Sequence, residues 1–164
     1  MNPPGRPILI VAVIALLVMM GGIVYYASLD NDDLSSATIE LEKVELIDVN
    51  SIENSSILKV TFLVGNPGEV TVTVPVISYK LYADGSEVGS GTYSTEDIAM
   101  PGRAAFYPDA EIPLYSKMSI VMSEMNETVY NKIISGQPVQ YSATGMMTVE
   151  SAWSIVELSF DTSS

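Results

Sequence analysis

Ser56–Gly68, SILKVTFLVGNPG, sets the rhythm of this chain. Leu58, Val60, Phe62 and Val64 share one parity, and Lys59 and Thr61 take the other. Side chains of a strand alternate between faces, so one side of this segment is built for a core and the other for water. The run stops at Gly65-Asn66-Pro67-Gly68. Proline lacks the ladder N–H and glycine tolerates positive φ, so the stop is a turn.

The same period-two pattern extends in both directions. Upstream, from Ala37, Ile39 and Leu41 share a face, Val44 and Leu46 take the opposite parity, and Ile47 and Val49 switch back. Parity slips of this kind predict β-bulges or a bend. Residues 50–55 read as a loop. Downstream, Val70, Val72 and Val74 alternate with threonines until Pro75 interrupts the ladder, and Ile77, Tyr79 and Leu81 resume it. Asp84-Gly85 is a strong hairpin signal. Further strands are expected over Thr92–Ile98, before a turn at Met100-Pro101-Gly102, and over Ala104–Ile112 with Phe106 in the core. The last two cover Val139–Val149 and Trp153–Phe160. In the final one Val156, Leu158 and Phe160 face one way and Trp153 and Ile155 the other, which predicts a central strand.

One segment breaks the rhythm. Met118, Val121, Met122, Met125, Val129 and Ile133 form a helical stripe, with Ser116 as N-cap and Gly136 and Pro138 as the stop. Such a stripe is ordinarily the face packed on a sheet, although methionine-rich faces also serve as binding surfaces. Short strands divided by turns, with one helix inserted late, predict an antiparallel β-sandwich with an accessory helix.

Ahead of this domain stands Ile8–Tyr26, ILIVAVIALLVMMGGIVYY, without a charge. As a helix it spans about 28 Å, close to the ~30 Å hydrocarbon core of a bilayer. A cleaved signal peptide would have a shorter apolar region and small residues before the cut, whereas a cut after Ala27 would put Tyr25 at −3. The run therefore reads as a transmembrane helix preceded by a cytoplasmic segment 1–7, with the bilayer as its partner. Arg6 precedes it and no Lys or Arg follows until Lys43, so the remainder is placed outside. Residues 27–36, polar and acidic, read as a flexible tether to the domain at 37–164. Asp30, Asp32 and Asp33 lack the glycine and closing glutamate of a calcium loop.

The chain has 20 acidic and 7 basic residues, a formal charge of −13, and all the acids follow the apolar run. That charge opposes nucleic acid. Cys and His are absent, which removes disulfides, the usual zinc and iron ligands, and both Ser-His-Asp and Cys-His machinery. Ser56 and Lys59 match a Ser-x-x-Lys spacing, but on a strand they face opposite sides. Glu40/Glu42 and Asp109/Glu111 read as solvated surface rather than as glycosidase pairs. No catalytic, cofactor or metal residue is expected, and the chain is read as a non-enzyme. Asn54 and Asn126 lie in Asn-x-Ser/Thr sequons and are the candidate N-glycosylation sites, with Asn54, in a loop, the better acceptor.

The order of these landmarks resembles a known family. An alternating strand reaches Asn66-Pro67, and a strand with Tyr79 and Leu81 runs to Asp84-Gly85 and then Gly89. A strand ending near Pro113, a helix, Gly136 and Tyr141-Ser-Ala-Thr-Gly145 follow. Over about Ala37–Phe160 the chain is similar to the late-embryogenesis-abundant group 2 family, the water-stress and hypersensitive-response (WHy) domain, and looks most like its archaeal members on a membrane helix. The family's turn is often Asn-Pro-Asn; here Gly68 replaces the last Asn. The resemblance implies an immunoglobulin- or fibronectin-III-like sandwich, a role in desiccation and stress protection, and binding of protein or envelope components without catalysis. A structural envelope or pilin-like filament subunit is the alternative that an apolar N-terminal helix before a β domain allows.

Overall fold

The computed structural model describes residues 5–28, 30–96, 104–124 and 126–164. Helix α1 (Gly5–Ser28) leads through α2 (Asp30–Ser35) into eight strands: β1 (Thr38–Asn50), β2 (Ser55–Asn66), β3 (Val72–Ala83), β4 (Ser86–Ser94), β5 (Ala105–Phe106), β6 (Ala110–Val121), β7 (Tyr141–Glu150) and β8 (Ile155–Ser163). Helix α3 (Glu127–Ile134) separates β6 from β7. One sheet has the order β1-β2-β6; the other has β4-β3-β7-β8, with β5 paired to β3. All the pairings are antiparallel, and the sheets face each other as a β-sandwich.

The core is what the alternation dictates. Leu58, Val60 and Phe62 of β2 are fully buried against Ile77 and Leu81 of β3 and Met147 of β7. The Phe62 ring meets Tyr79 edge-on at 4.9 Å and Phe160 at 5.7 Å. Gly145 lies between Tyr79 and Phe160 in the register. A side chain there would run into the β3 backbone at Ser78 and the Phe160 ring, so the Gly of the Tyr-Ser-Ala-Thr-Gly motif is a packing requirement. The parity slips of β1 are register shifts between Leu41 and Lys43 and between Leu46 and Asp48. Pro75 likewise falls where the β3–β7 register slips between Thr73 and Val76. The Asp84-Gly85 hairpin turn has φ of 48° and 80°, the mirror-image geometry that suits twisted strands.

Four expectations are corrected. The stripe from Met118 to Ile134 is not one helix. Ser116, Met118 and Ile120 are inward residues of β6, Val121 is 59% exposed, and helix forms only from Glu127, burying Val129, Tyr130 and Ile133. Twelve paired positions with β2 outweigh the helical spacing. The stop is as expected: Gly136 has φ 68°, and Gly136 N and Gln137 N donate to Ile133 O and Lys132 O, a Schellman closure.

Second, Ala104–Ile112 is divided. Phe106 is fully buried in β5, but Asp109 turns the chain at φ 62°, and β6 then passes through Pro113, which an outer strand tolerates. Third, β8 is an outer strand rather than a central one. Its outward apolar residues are confined to the start, Trp153 and Ile155 at 65% exposure each, and Glu157, Ser159 and Asp161 follow on that face. Fourth, much of the stretch read as a tether is helix α2, with Leu34 fully buried in the core. The strand expected over Thr92–Ile98 instead runs from Ser86 to Ser94 as β4, and residues 97–98, the turn at Met100-Pro101-Gly102 and Met125 of the stripe lie outside the described residues.

Among its described side chains, helix α1 buries none against the sandwich. Its side chains from Ile8 to Tyr26 are exposed, and together with α2 it forms the single helix among the described residues long and apolar enough to cross a membrane.

Candidate functional site

The Asn66-Pro67-Gly68 turn sits where the helices join the sandwich, here called the near end. Asn66 is 1% exposed and ties the two sheets together. Its Nδ2 donates to Val70 O at 2.8 Å and to Phe106 O at 2.9 Å, and its Oδ1 accepts from Gly68 N at 3.2 Å. Its carbonyl accepts from Asp109 N at 2.8 Å, so one residue holds the β2–β3 turn, β5 and the β5–β6 turn. Every buried polar atom of Asn66 is thereby satisfied, as a dry interior demands.

Gly68 faces α2. A Cβ there would stand 3.2 Å from both Cβ and O of Asp33, closer than the helix accepts without moving. Gly68 is therefore matched to a docked α2. Leu34 enters the core beside it, and Asn31 Oδ1 accepts from Ser154 Oγ in the β7–β8 turn. That turn is shaped by Ser151, whose Oγ accepts from Trp153 N and Ser154 N at 3.2 and 3.1 Å. Nothing in the alternation pointed to Asn31 or Ser154. Leu34 carried a signal, as the lone apolar residue between Asp30 and Ser36.

The two sequons fall together at the opposite, far end. Asn54, at φ 49°, is exposed on the β1–β2 turn, and its carbonyl accepts from Met122 N at 2.9 Å. Asn126 lies in the second sequon. It is 8% exposed; its Nδ2, the atom a glycan would take, donates to Val121 O at 3.1 Å, and its Oδ1 accepts from Ser123 N at 2.7 Å. Asp84 completes this end, bound by Lys132 Nζ of α3 at 2.8 Å and Gln140 N at 3.1 Å. Those two donors, the lysine first, hold its carboxyl below the usual aspartate range. Tyr141 is pushed up by burial and then by the Asp84 charge.

A shallow groove of about 760 Å³ crosses β3, β4, β6 and β7, lined by Lys80, Lys117 and the hydroxyls of Ser78, Thr92 and Thr144. Lys80 is paired with Glu87 at 3.2 Å. Tyr79, at its floor, has its phenol raised by burial and hydrogen-bonds Ser116. Ser56 is buried while Lys59 belongs to the outer face of β2, stacked on Tyr115 at 4.9 Å, so the Ser-x-x-Lys spacing assembles nothing. Glu40, Glu42, Asp109 and Glu111 are exposed, and among the described residues no three metal-binding side chains converge.

No protein-family model and no curated protein matches the sequence. Solved structures do resemble the fold. The solution structure of AT1g01470 from Arabidopsis thaliana aligns over 77% of this chain and 79% of that one, with a TM-score of 0.51 and 16% identity. A crystal structure of a protein from Archaeoglobus fulgidus covers 77% and 92%, with a TM-score of 0.46 and 16% identity. A solution structure described as a candidate late embryogenesis abundant (LEA) protein, At2g46140.1, covers 93% and 84%, with a TM-score of 0.49 and 12% identity. At such identities likeness establishes the fold alone, and the Arabidopsis AT1g01470 match does so for this sandwich.

Proposed function

We propose that this chain is a single-pass membrane protein whose β-sandwich is held outside the cell, N-terminus inward, and acts by binding protein or envelope components rather than by catalysis. The observation that carries this reading is the contrast between α1, unburied and uncharged from Ile8 to Tyr26, and α2, seated in the sandwich by Leu34. An exposed apolar helix followed by a helix seated in a folded domain fits display at a surface. The absence of Cys and His from the sequence, and a groove whose described lining offers lysines and hydroxyls without a carboxylate, support a non-catalytic role.

The stress-protective role rests on the ordered landmarks of the late-embryogenesis-abundant group 2 family. Asn66, Pro67 and Gly68 act in it as structural residues that hold the near end. Cells lacking the protein are expected to survive drying, osmotic and salt stress less well than wild type; equal survival would remove the physiological half of the proposal. Cross-linking and co-purification from intact membranes identifies the partner. Asn54 is the proposed glycan site: a glycan mass present on the native protein disappears in Asn54→Gln and persists in Asn126→Gln.

The near-continuous passage of α1 and α2 into a β domain also suits a pilin-like filament subunit. Cleavage before Ile8 and filaments by electron microscopy would favour that reading, and an intact N-terminus without filaments would end it.

A further inference from the structure

We propose that the β7–β8 turn with Trp153, together with Ile155 at the first position of β8, is a second membrane contact that seats the sandwich on the headgroup layer of neutral lipids. The inference rests on the anchor reading above.

Three observations converge on this turn. Trp153 and Ile155 are each 65% exposed, large apolar side chains on a domain otherwise rich in acid. The turn is also bound to the helix leaving the apolar segment, through Ser154 Oγ and Asn31. With Ile8–Tyr26 centred in a hydrocarbon core of ~30 Å, the headgroup layer, about 6 Å deep, takes up about four residues of helix beyond Tyr26. Asn31 then stands at the outer edge of that layer, and Ser154 with it.

Third, β8 reaches further towards α1 than β1 does. Leu41 N donates to Thr162 Oγ1 at 3.0 Å, which sets those two residues level. From there β8 descends seven residues to Ile155, roughly 23 Å, and β1 three residues to Thr38, roughly 10 Å, at strand rise. The β7–β8 turn therefore projects past the start of the other sheet, on the side where α2 approaches.

From the outer edge of that layer the Trp153 side chain reaches into the headgroups, where an amphipathic indole suits, its ring turned to the lipid and its N–H to the wet side. Asp32 and Asp33 follow Asn31, which Ser154 binds, and Glu157 follows Ile155, so the surface that fits is zwitterionic rather than anionic.

Trp153 is the single tryptophan of the chain, and its fluorescence reads the site directly. The full-length protein is reconstituted into phosphatidylcholine vesicles, with flotation measured alongside emission. Flotation together with blue-shifted emission, quenched by brominated lipid and shielded from aqueous iodide, is the expected result. Adding phosphatidylglycerol should reduce the shift. Asn31→Ala/Leu34→Ala, which frees α2, should still float but lose the bromolipid quenching. Flotation with an iodide-quenched, unshifted Trp153 overturns the second contact and leaves the anchor standing. Failure to float overturns the anchor and this inference with it. Emission that shifts only when a co-purified protein is present assigns the turn to that protein instead.

Discussion

The near and far ends of the sandwich are both closed by a buried asparagine, but the two side chains do different jobs. Asn66 reaches across 40 residues to Phe106 O and links β2 of one sheet to β5 of the other. The bonds of Asn126 stay within five residues and hand the chain from β6 to α3. The same amide is a tertiary staple where strands of two sheets converge and a local bracket where a strand gives way to a helix. The near end, which receives the helices, is the one tied by long-range bonds.

Asn66→Ala should show the largest effect, since it strands Val70 O, Phe106 O and Gly68 N in the interior. About 4 kcal/mol of stability should be lost in urea titrations of the full chain in detergent. A loss no greater than that of Asn126→Ala would erase the distinction between the ends. Leu34→Ala tests whether α2 belongs to the near end at all. Emptying a fully buried site should cost about 3 kcal/mol, and an unchanged midpoint would return residues 30–36 to the status of a tether. Asn126→Ala should cost about 1–2 kcal/mol, because its lost bonds are local and partly replaced by water.

The smallest effect belongs to Asp84→Asn, which keeps a residue tolerant of positive φ and removes the charge facing Lys132. A carboxyl held below its unfolded value contributes stability above the ordinary aspartate range and loses it as pH falls through the depressed folded value. The variant should therefore melt slightly below wild type at neutral pH, and the two should converge in acid. A gap that persists undiminished below the aspartate range would show that Asp84 acts through its turn and not through its charge.

Much of this comparison was legible in advance, and the rest was not, for identifiable reasons. The parity slips of β1, the Pro75 interruption, the Asp84-Gly85 hairpin and the burial of Phe62 and Phe106 follow from side-chain alternation and turn chemistry, which are local. Met118–Val121 misled because methionine and valine at helical spacing also fit an alternating strand, and the choice was made by a partner strand some 60 residues upstream. Asn66 and Asn126 are indistinguishable as letters. Their roles depend on which carbonyls the fold brings to them.

By itself the sequence determined an uncharged apolar helix, a run of strands that bury one face, the turns between them, and an acidic domain without Cys or His chemistry. Each of these follows from residue type and spacing over a few positions. Only the tertiary structure decided that α2 docks through Leu34 and needs Gly68 bare, that β8 lies at an edge with Trp153 exposed at its start, and that the β7–β8 turn meets Asn31. Those outcomes come from contacts between segments as much as 123 residues apart, whose free energy depends on shape and distance and leaves no periodic trace in the chain.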